Sequence, residues 1–220
     1  MLPEYYEIVE WLPQLLLGLK TSLQVTALAL VIGIPLGLLM ALGNMSANKL
    51  VQAVSLFFIE VGRGAPALVL LQFIYFGLPT TGLTVGALFC AVFALAWNTG
   101  AYTSEIIRAS LLSIPAGQRE AAEAMGFNKL DELRFVMVPQ AMRVATPALL
   151  AFAILVFQGT SLAFTVALPE LVSRAYQIGS ETFRYLPVLL LAGALYAVIS
   201  IPAALMVDYI EKRAGRFAER

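Results

Sequence analysis

Four stretches of this chain carry no Asp, Glu, Lys or Arg: residues 21–48, 64–104, 144–169 and 185–207, which are 28, 41, 26 and 23 residues long. A helix needs about 20 apolar residues to cross the hydrocarbon of a bilayer. The 41-residue run is broken by Gly77, Pro79 and Gly82 and so holds two spans. The fold class is therefore all-α integral membrane, one domain over residues 1–220, with five transmembrane helices expected at 17–42, 51–76, 85–107, 144–168 and 186–207. Composition agrees, since 60% of the residues are hydrophobic and 13% are charged, against roughly 25% charged in a soluble domain.

An odd number of spans puts the termini on opposite sides of the membrane. With the N-terminus outside, the cytoplasmic face holds Lys49, Arg63, Arg108, Arg119, Lys129, Arg134, Arg143, Lys212, Arg213, Arg216 and Arg220, and the outer face holds Lys20, Arg174 and Arg184, a split of 11 to 3. That bias sets the orientation, with the C-terminus cytoplasmic. Residues 1–16 carry Glu4, Glu7, Glu10 and aromatics, with no basic residue. They read as an interfacial segment on the outer face rather than a cleaved signal. The single cysteine, Cys90, reads as a buried thiol. Histidine is absent. That excludes histidine triads, a histidine proton relay and the common zinc sites, and no metal is expected.

Between Arg108 and Arg143 lies a polar island of 36 residues holding nine of the 28 charges. Packed helices need only about 2 to 8 residues to connect, so the island is expected to do more than link spans. Gln118 to Met125 are helix formers, and Gly126 falls where a left-handed C-terminal cap belongs. Asn128 is an N-cap for a second short helix, Asp131 completes a weak capping box, and Pro139 is expected to end that helix. Ala121, Ala122 and Met125 give the first helix a small apolar face beside Arg119, Glu120 and Glu123. So short a helix is marginal alone in water, and a groove on another protein is one partner that would hold it. A surface helix that merely connects two spans is the plainer alternative.

Within the spans, polar residues mark a candidate translocation path. The third span turns polar at Asn98, Thr99, Tyr102, Thr103, Ser104 and Glu105, although Glu105 could simply pair with Arg108. The fourth carries Gln158, Thr160 and Ser161, whose hydroxyls could instead bond back to their own helix. In the first span Gly33 and Gly37 form a close-approach pair around Pro35. In the second, Glu60 and Arg63 are spaced to neutralise each other near the cytoplasmic end, either within the membrane or at its surface, with a turn inward expected near Gly64 and Pro66. The mixed charges of 169–186 read as a solvated outer loop or a docking surface, and Asp208 to Arg213 as an interfacial stop.

The run Glu120, Ala121, Ala122, then Gly126, then Val136, Val138 and Pro139 resembles the EAA motif of permease subunits of bacterial ATP-binding-cassette importers, with its spacing EAA-x3-G-x9-I-x-L-P kept throughout. Glu60–Pro66, Phe73–Pro79, Gly100–Pro115 and Pro139–Leu149 are similar to segments of the polar amino acid branch, and the resemblance runs from Gly18 to Lys212. It implies the five-helix, MetI-like core of a type I importer in a bacterial cytoplasmic (inner) membrane, working beside a second permease subunit, itself or a paralogue. Gly117, Gln118, Arg119, Glu120, Ala121, Ala122, Glu123, Ala124, Met125, Gly126 and Pro139 would then form the coupling segment that seats in a cytoplasmic ATPase. ATP and Mg would be bound by that partner, and an external substrate-binding protein would deliver the amino acid, polar or charged. Where the branch often has lysine and Asp or Asn before the fourth-span TSL, this chain has Gln158 and Gly159, which implies a different substrate or a half that does not bind it.

No Walker A pattern GxxxxGK[ST] occurs, so this chain is not expected to cradle ATP or to be an enzyme. An ion-coupled secondary transporter is the alternative. The absence of an evident inverted repeat and the scarcity of mid-membrane carboxylates speak against it. No nucleic acid partner is expected.

Overall fold

The computed structural model describes residues 4–218, with side chains through residue 212; Met1 to Pro3 of the expected outer segment, and the side chains of Arg213, Arg216 and Arg220, lie outside the described residues. The architecture is all helical. Its mast is α1, Tyr5–Asn44, one uninterrupted helix of 40 residues, about 60 Å long at 1.5 Å per residue. The expected outer interfacial segment is thus not separate from the first span. Trp11, Leu15 and Leu19 bury against Leu171, Ala175, Ile178, Val188 and Ala192, and that packing carries the helix outward through Pro13.

The chain returns in α2, Lys49–Gly64, capped by Asn48, whose Oδ1 accepts the Leu50 N–H at 2.9 Å. It then bends by 103° into α3, Ala67–Gln72, which runs on through wider and tighter turns to Thr81. The expected second span is therefore a broken one, because Pro66 has no N–H to continue the ladder. Gly82, at φ +86, closes the break before α4, Ala87–Leu112.

After α5, Ala116–Ala124, the chain enters α6, Lys129–Asp131, widens to π geometry over Glu132–Met137, and continues as α7, Val138–Gly159, tightening over Thr160–Val166. Pro139 does not end the second island helix as expected. It sits in the first turn after the widened stretch, where the displaced carbonyls spare it the usual clash. Lys129–Val166 is consequently one rod of 38 residues. The outer segment 169–186 is no loop: it forms α8, Leu171–Thr182, with Leu171, Ala175 and Ile178 buried. Helix α9, Tyr185–Ala218, passes without a break through the expected stop at Asp208.

Three cores stack along α1. The outer one is set against α8 and α9, the middle one joins Val25 and Ala29 to α3, α4 and α7, and the inner one joins Ala41 to Ile107, Leu111, Ala141 and Ala145. The tightest seam is between α1 and α4: a Cβ on Gly33 would lie 2.6 Å from the Thr99 Cβ, and one on Gly37 would overlap the Thr103 hydroxyl. Small residues thus let two helices of one chain touch, which in a membrane replaces hydrophobic driving force as the source of packing energy.

Among the described helices, Tyr5–Asn44, Lys129–Val166 and Tyr185–Lys212 are long and apolar enough to cross a membrane, and α2 with α3 makes a fourth if the bent pair counts as one span. The polar inner half of α4 keeps it out of that set.

Candidate functional site

The polar island folds as a corner. Helix α5 ends in a two-bond C-cap: Gly126 N–H donates to Glu123 C=O at 2.9 Å and Phe127 N–H to Ala122 C=O at 3.1 Å, with Gly126 at φ +82. Two residues on, Asn128 Oδ1 accepts the N–H groups of Leu130 and Asp131, both at 3.0 Å, and starts the rod. Asp131 bonds the Asn128 side-chain amide, at 2.6 Å, rather than its backbone. The helix is pinned to the rod from one side only. Ala122 is buried, Arg119 Nε lies 3.2 Å from Glu132 Oε1, and Gln140 Nε2 donates to Gln118 Oε1 at 3.2 Å. The expected apolar face is divided: Ala122 packs on its own chain, while Ala121 and Met125 point outward. With exposed Glu120, Glu123, Ala124, Leu130 and Phe135 they form a surface that no other described residue covers. Gly117 is also exposed, and a Cβ there would meet nothing.

The second site is a cleft of about 480 Å³ between the α2–α3 bend, α4 and α7, lined by Arg63, Pro66, Leu95, Asn98, Tyr102, Phe152, Leu155 and Gly159 among others. Its frame follows from Pro66. The Gly62 carbonyl, deprived of the N–H that residue 66 would supply, accepts instead from Asn98 Nδ2 at 2.9 Å. Trp97 Nε1 donates to Phe58 C=O at 3.0 Å and the Tyr102 hydroxyl to Arg63 C=O at 3.5 Å. Three side chains of α4 thus hold the bend open toward α7. Sequence reading missed Trp97 and Tyr102 in this role, although an orphaned carbonyl four residues before a proline signals that a donor must come from elsewhere.

Of the expected path residues, Asn98 lines this cleft. Thr99 and Thr103 instead face α1 at Gly33 and Gly37; both are buried, and Thr103 Oγ1 donates to Thr99 C=O at 2.7 Å. Glu105 is paired to Arg108 at 2.7 Å. Thr160 is buried and donates to Phe157 C=O at 2.6 Å, Ser161 donates to Gln158 C=O at 2.8 Å, and Gln158 is exposed. The expected pair of Glu60 and Arg63 does not form. No ion pair among the described residues includes either, and the Arg63 guanidinium lies over the Tyr102 ring, 5.7 Å from its centroid. The bend after Gly64 aims Arg63 at α4 instead.

Toward the outer end, Glu170 caps α8 while fully buried. Its carboxylate accepts the Ser173 and Val172 N–H groups at 2.7 and 2.9 Å and the Tyr196 hydroxyl at 3.3 Å. A second pin is the ion pair between Arg184 and buried Glu7, at 2.8 Å.

A family model described as "Binding-protein-dependent transport system inner membrane component" matches residues 33–216. The chain is 31% identical over 211 residues to the arginine transport system permease protein ArtQ of Bacillus subtilis, covering 96% of each. It is 34% identical over 224 residues to the histidine/lysine/arginine/ornithine transport system permease protein HisM of Escherichia coli K12, covering 97% of this chain and 94% of that one. Among solved structures it superposes on a chain of an amino acid ABC transporter crystallised with histidines, with a TM-score of 0.88, 34% identity, and coverage of 97% of this chain and 100% of that one.

Proposed function

The chain belongs to the family of inner membrane components of binding-protein-dependent transport systems, and from that premise we propose that it is the permease subunit of an ATP-driven amino acid importer. The named relatives, covered over nearly their whole length, are permeases for amino acids, which supports that cargo class. In this reading the chain crosses the cytoplasmic membrane of a bacterium five times, α4 and the bent α2–α3 pair included, with the N-terminus outside. It pairs with a second permease subunit, receives the amino acid from an external binding protein, and leaves ATP and Mg to two cytoplasmic ATPases. Its own part is to form the path and to transmit force.

The observation that carries the proposal is the corner at α5. A helix whose outer face is exposed, fixed by Ala122, Arg119 and Gln118 to a rod of 38 residues, is a lever. ATP closure of the partner subunits would push on Glu120, Ala121, Glu123, Ala124 and Met125. The rod would carry the displacement into α7 beside the cleft, without a flexible joint.

A mild-detergent pull-down of the tagged chain from its native membrane tests this. Recovery of a Walker A-bearing ATPase at equal copy number, lost when the outward face of α5 is replaced, is the expected result. A chain recovered alone that still moves solute in ATP-free vesicles under an ion gradient would be a secondary transporter.

A further inference from the structure

Among the described residues Glu170 is the carboxyl with no exposed surface, and neither the α5 corner nor the cleft uses it. Oε1 accepts the Ser173 N–H at 2.7 Å and Oε2 the Val172 N–H at 2.9 Å. Oε2 is also met by the Ser22 hydroxyl of α1, at 3.5 Å, and the Tyr196 hydroxyl of α9, at 3.3 Å. No cation offsets it. No described ion pair includes Glu170, Lys20 of α1 is exposed, and Arg184 is held by Glu7. On α8 itself, Arg174 donates from Nη1 to Gln177 Oε1 at 3.1 Å, and its buried Nε meets no acceptor. Tyr196 is the titratable side chain that reaches the carboxyl. Its hydroxyl has one proton and two oxygens in range, Glu170 Oε2 and, at 3.4 Å, Thr160 Oγ1 in the tightened end of the rod. Thr160 has no exposed surface, and its own proton goes to Phe157 C=O at 2.6 Å. A hydroxyl donates once. With Glu170 ionised, Tyr196 turns its proton to the carboxylate, the stronger charge-assisted choice, and the contact with Thr160 is left without one. With Glu170 protonated, Oε2 still accepts from Val172 and gives its proton to Tyr196. Tyr196 then donates to Thr160 and Thr160 to Phe157, so every proton in the line has an acceptor. Burial favours that neutral acid by raising the carboxyl above its ordinary value.

We propose that Glu170 is a proton-operated clamp on the outer end of the rod. As the neutral acid it sets the line from Glu170 through Tyr196 to Thr160 that ties α8 and α9 to the rod. As the carboxylate it takes the Tyr196 proton and frees Thr160. The rings of Phe157 and Tyr196, 5.0 Å apart, keep the two helices in register in either state. Gly159, next to Thr160, lines the cleft, so the clamp acts one residue from its wall. In the importer reading, on which this consequence alone rests, the outer end loosens to admit cargo, and acid on that side slows uptake.

Amide hydrogen exchange tests the clamp on the full chain, purified with the subunits that accompany it and held in lipid nanodiscs. Rates over Thr160–Val166 are divided by the intrinsic rates at each pH, from about pH 4 to about pH 8. Wild type should lose protection there roughly two- to tenfold as pH rises, what one hydrogen bond contributes. Glu170→Gln gives up the Val172 bond but keeps that of Ser173, and its amide N–H donates to Tyr196 at every pH. It should stay protected throughout. Tyr196→Phe should stay unprotected throughout, while an infrared band of a protonated carboxyl, assigned by its loss in Glu170→Gln, still titrates. The proposal is overturned if wild-type protection does not change with pH, if either variant keeps the change, or if wild type lacks the infrared band. Protection lost throughout α1 and α9 in either variant is the mark of a structural role and overturns it equally. Failure of an ATPase to co-purify would sink the importer reading alone, because exchange over Thr160–Val166 is measured on this chain with or without other subunits.

Discussion

Glu170 shows how one residue can be both required and uncomfortable. It has no exposed surface, and burial pushes its carboxyl above the ordinary value of 4.5, while the N–H groups of Val172 and Ser173 and the hydroxyls of Tyr196 and Ser22 pull the other way without prevailing. A carboxyl whose folded pKa is raised contributes stability that is complete below its unfolded pKa and is lost as pH rises through the folded one. Glu170→Gln keeps an acceptor for the cap and has no proton to lose. Its Tm should match wild type near pH 4 and move above it as pH rises toward 8. A gap that opens in the opposite direction would mean that the four donors outweigh burial. Gly126 is the converse case, since its left-handed φ of +82 suits glycine and costs a β-branched side chain about 1–2 kcal/mol. Nothing lies within 4 Å of where its Cβ would be, so Gly126→Val acts through the backbone alone. Reconstituted ATP-driven uptake should drop severalfold while overall Tm changes little, because the strained element is a short surface helix.

At the scale of elements, the bend between α2 and α3 is held by three side chains of α4, of which Asn98 satisfies the carbonyl that Pro66 orphans. Asn98→Ala removes the donor to the Gly62 carbonyl and leaves a half-buried acceptor without a partner, which costs about 1–3 kcal/mol. A lower Tm, with faster amide exchange confined to residues near Gly62 and Pro66, is the expected signature; exchange that is unchanged there would mean water replaces Asn98. The same bend indicates what sequence could and could not reveal. The Gly126 cap and the Asn128 cap were legible, because each is decided by side chains within a few residues of the backbone they satisfy. A turn near Pro66 was legible too, but not where it sends Arg63, since that depends on α4, some 35 residues away. Continuity through Pro139 was hidden for a similar reason: a widened turn over Glu132–Met137 has no residue signature, and it is the packing of Met137, Ala141 and Ala145 against the inner core that favours it. Helix α8 was missed although Leu171, Ala175 and Ile178 recur at helical spacing, because its mixed charges read as solvated surface. Of the expected path, Asn98 and Tyr102 line the cleft; Thr99 and Thr103 are polar by composition but serve the α1–α4 seam, where Thr103 bonds back to its own helix and the buried Thr99 hydroxyl has no hydrogen-bond partner among the described residues.

For the molecule as a whole, the question that geometry poses most directly is which end lies on which side. The corner at α5 and the α8–α9 turn sit at opposite ends of α7 and α9, so five crossings require them to face opposite compartments. Phe183, at that turn, is 86% exposed, and Met125, at the corner, is 69% exposed. The only cysteine in the sequence, Cys90, has no exposed surface, so the wild-type chain is a silent background for thiol labelling. A membrane-impermeant maleimide should therefore label Phe183→Cys in intact spheroplasts and Met125→Cys only in inverted vesicles, each at least tenfold over wild type. Labelling of both positions from one side would leave an even number of crossings between them, which would take the rod Lys129–Val166 out of the membrane. Since Lys129–Val166 and Tyr185–Lys212 are both long and apolar enough to span, and the chain between them turns through Arg184, whose ion pair with Glu7 ties it to the start of α1, such a result would also place the N-terminus with the corner. The side that labels Phe183→Cys thus fixes the side of the α1 N-terminus. It also fixes the face from which cargo must enter if the α5 surface is where ATPases push.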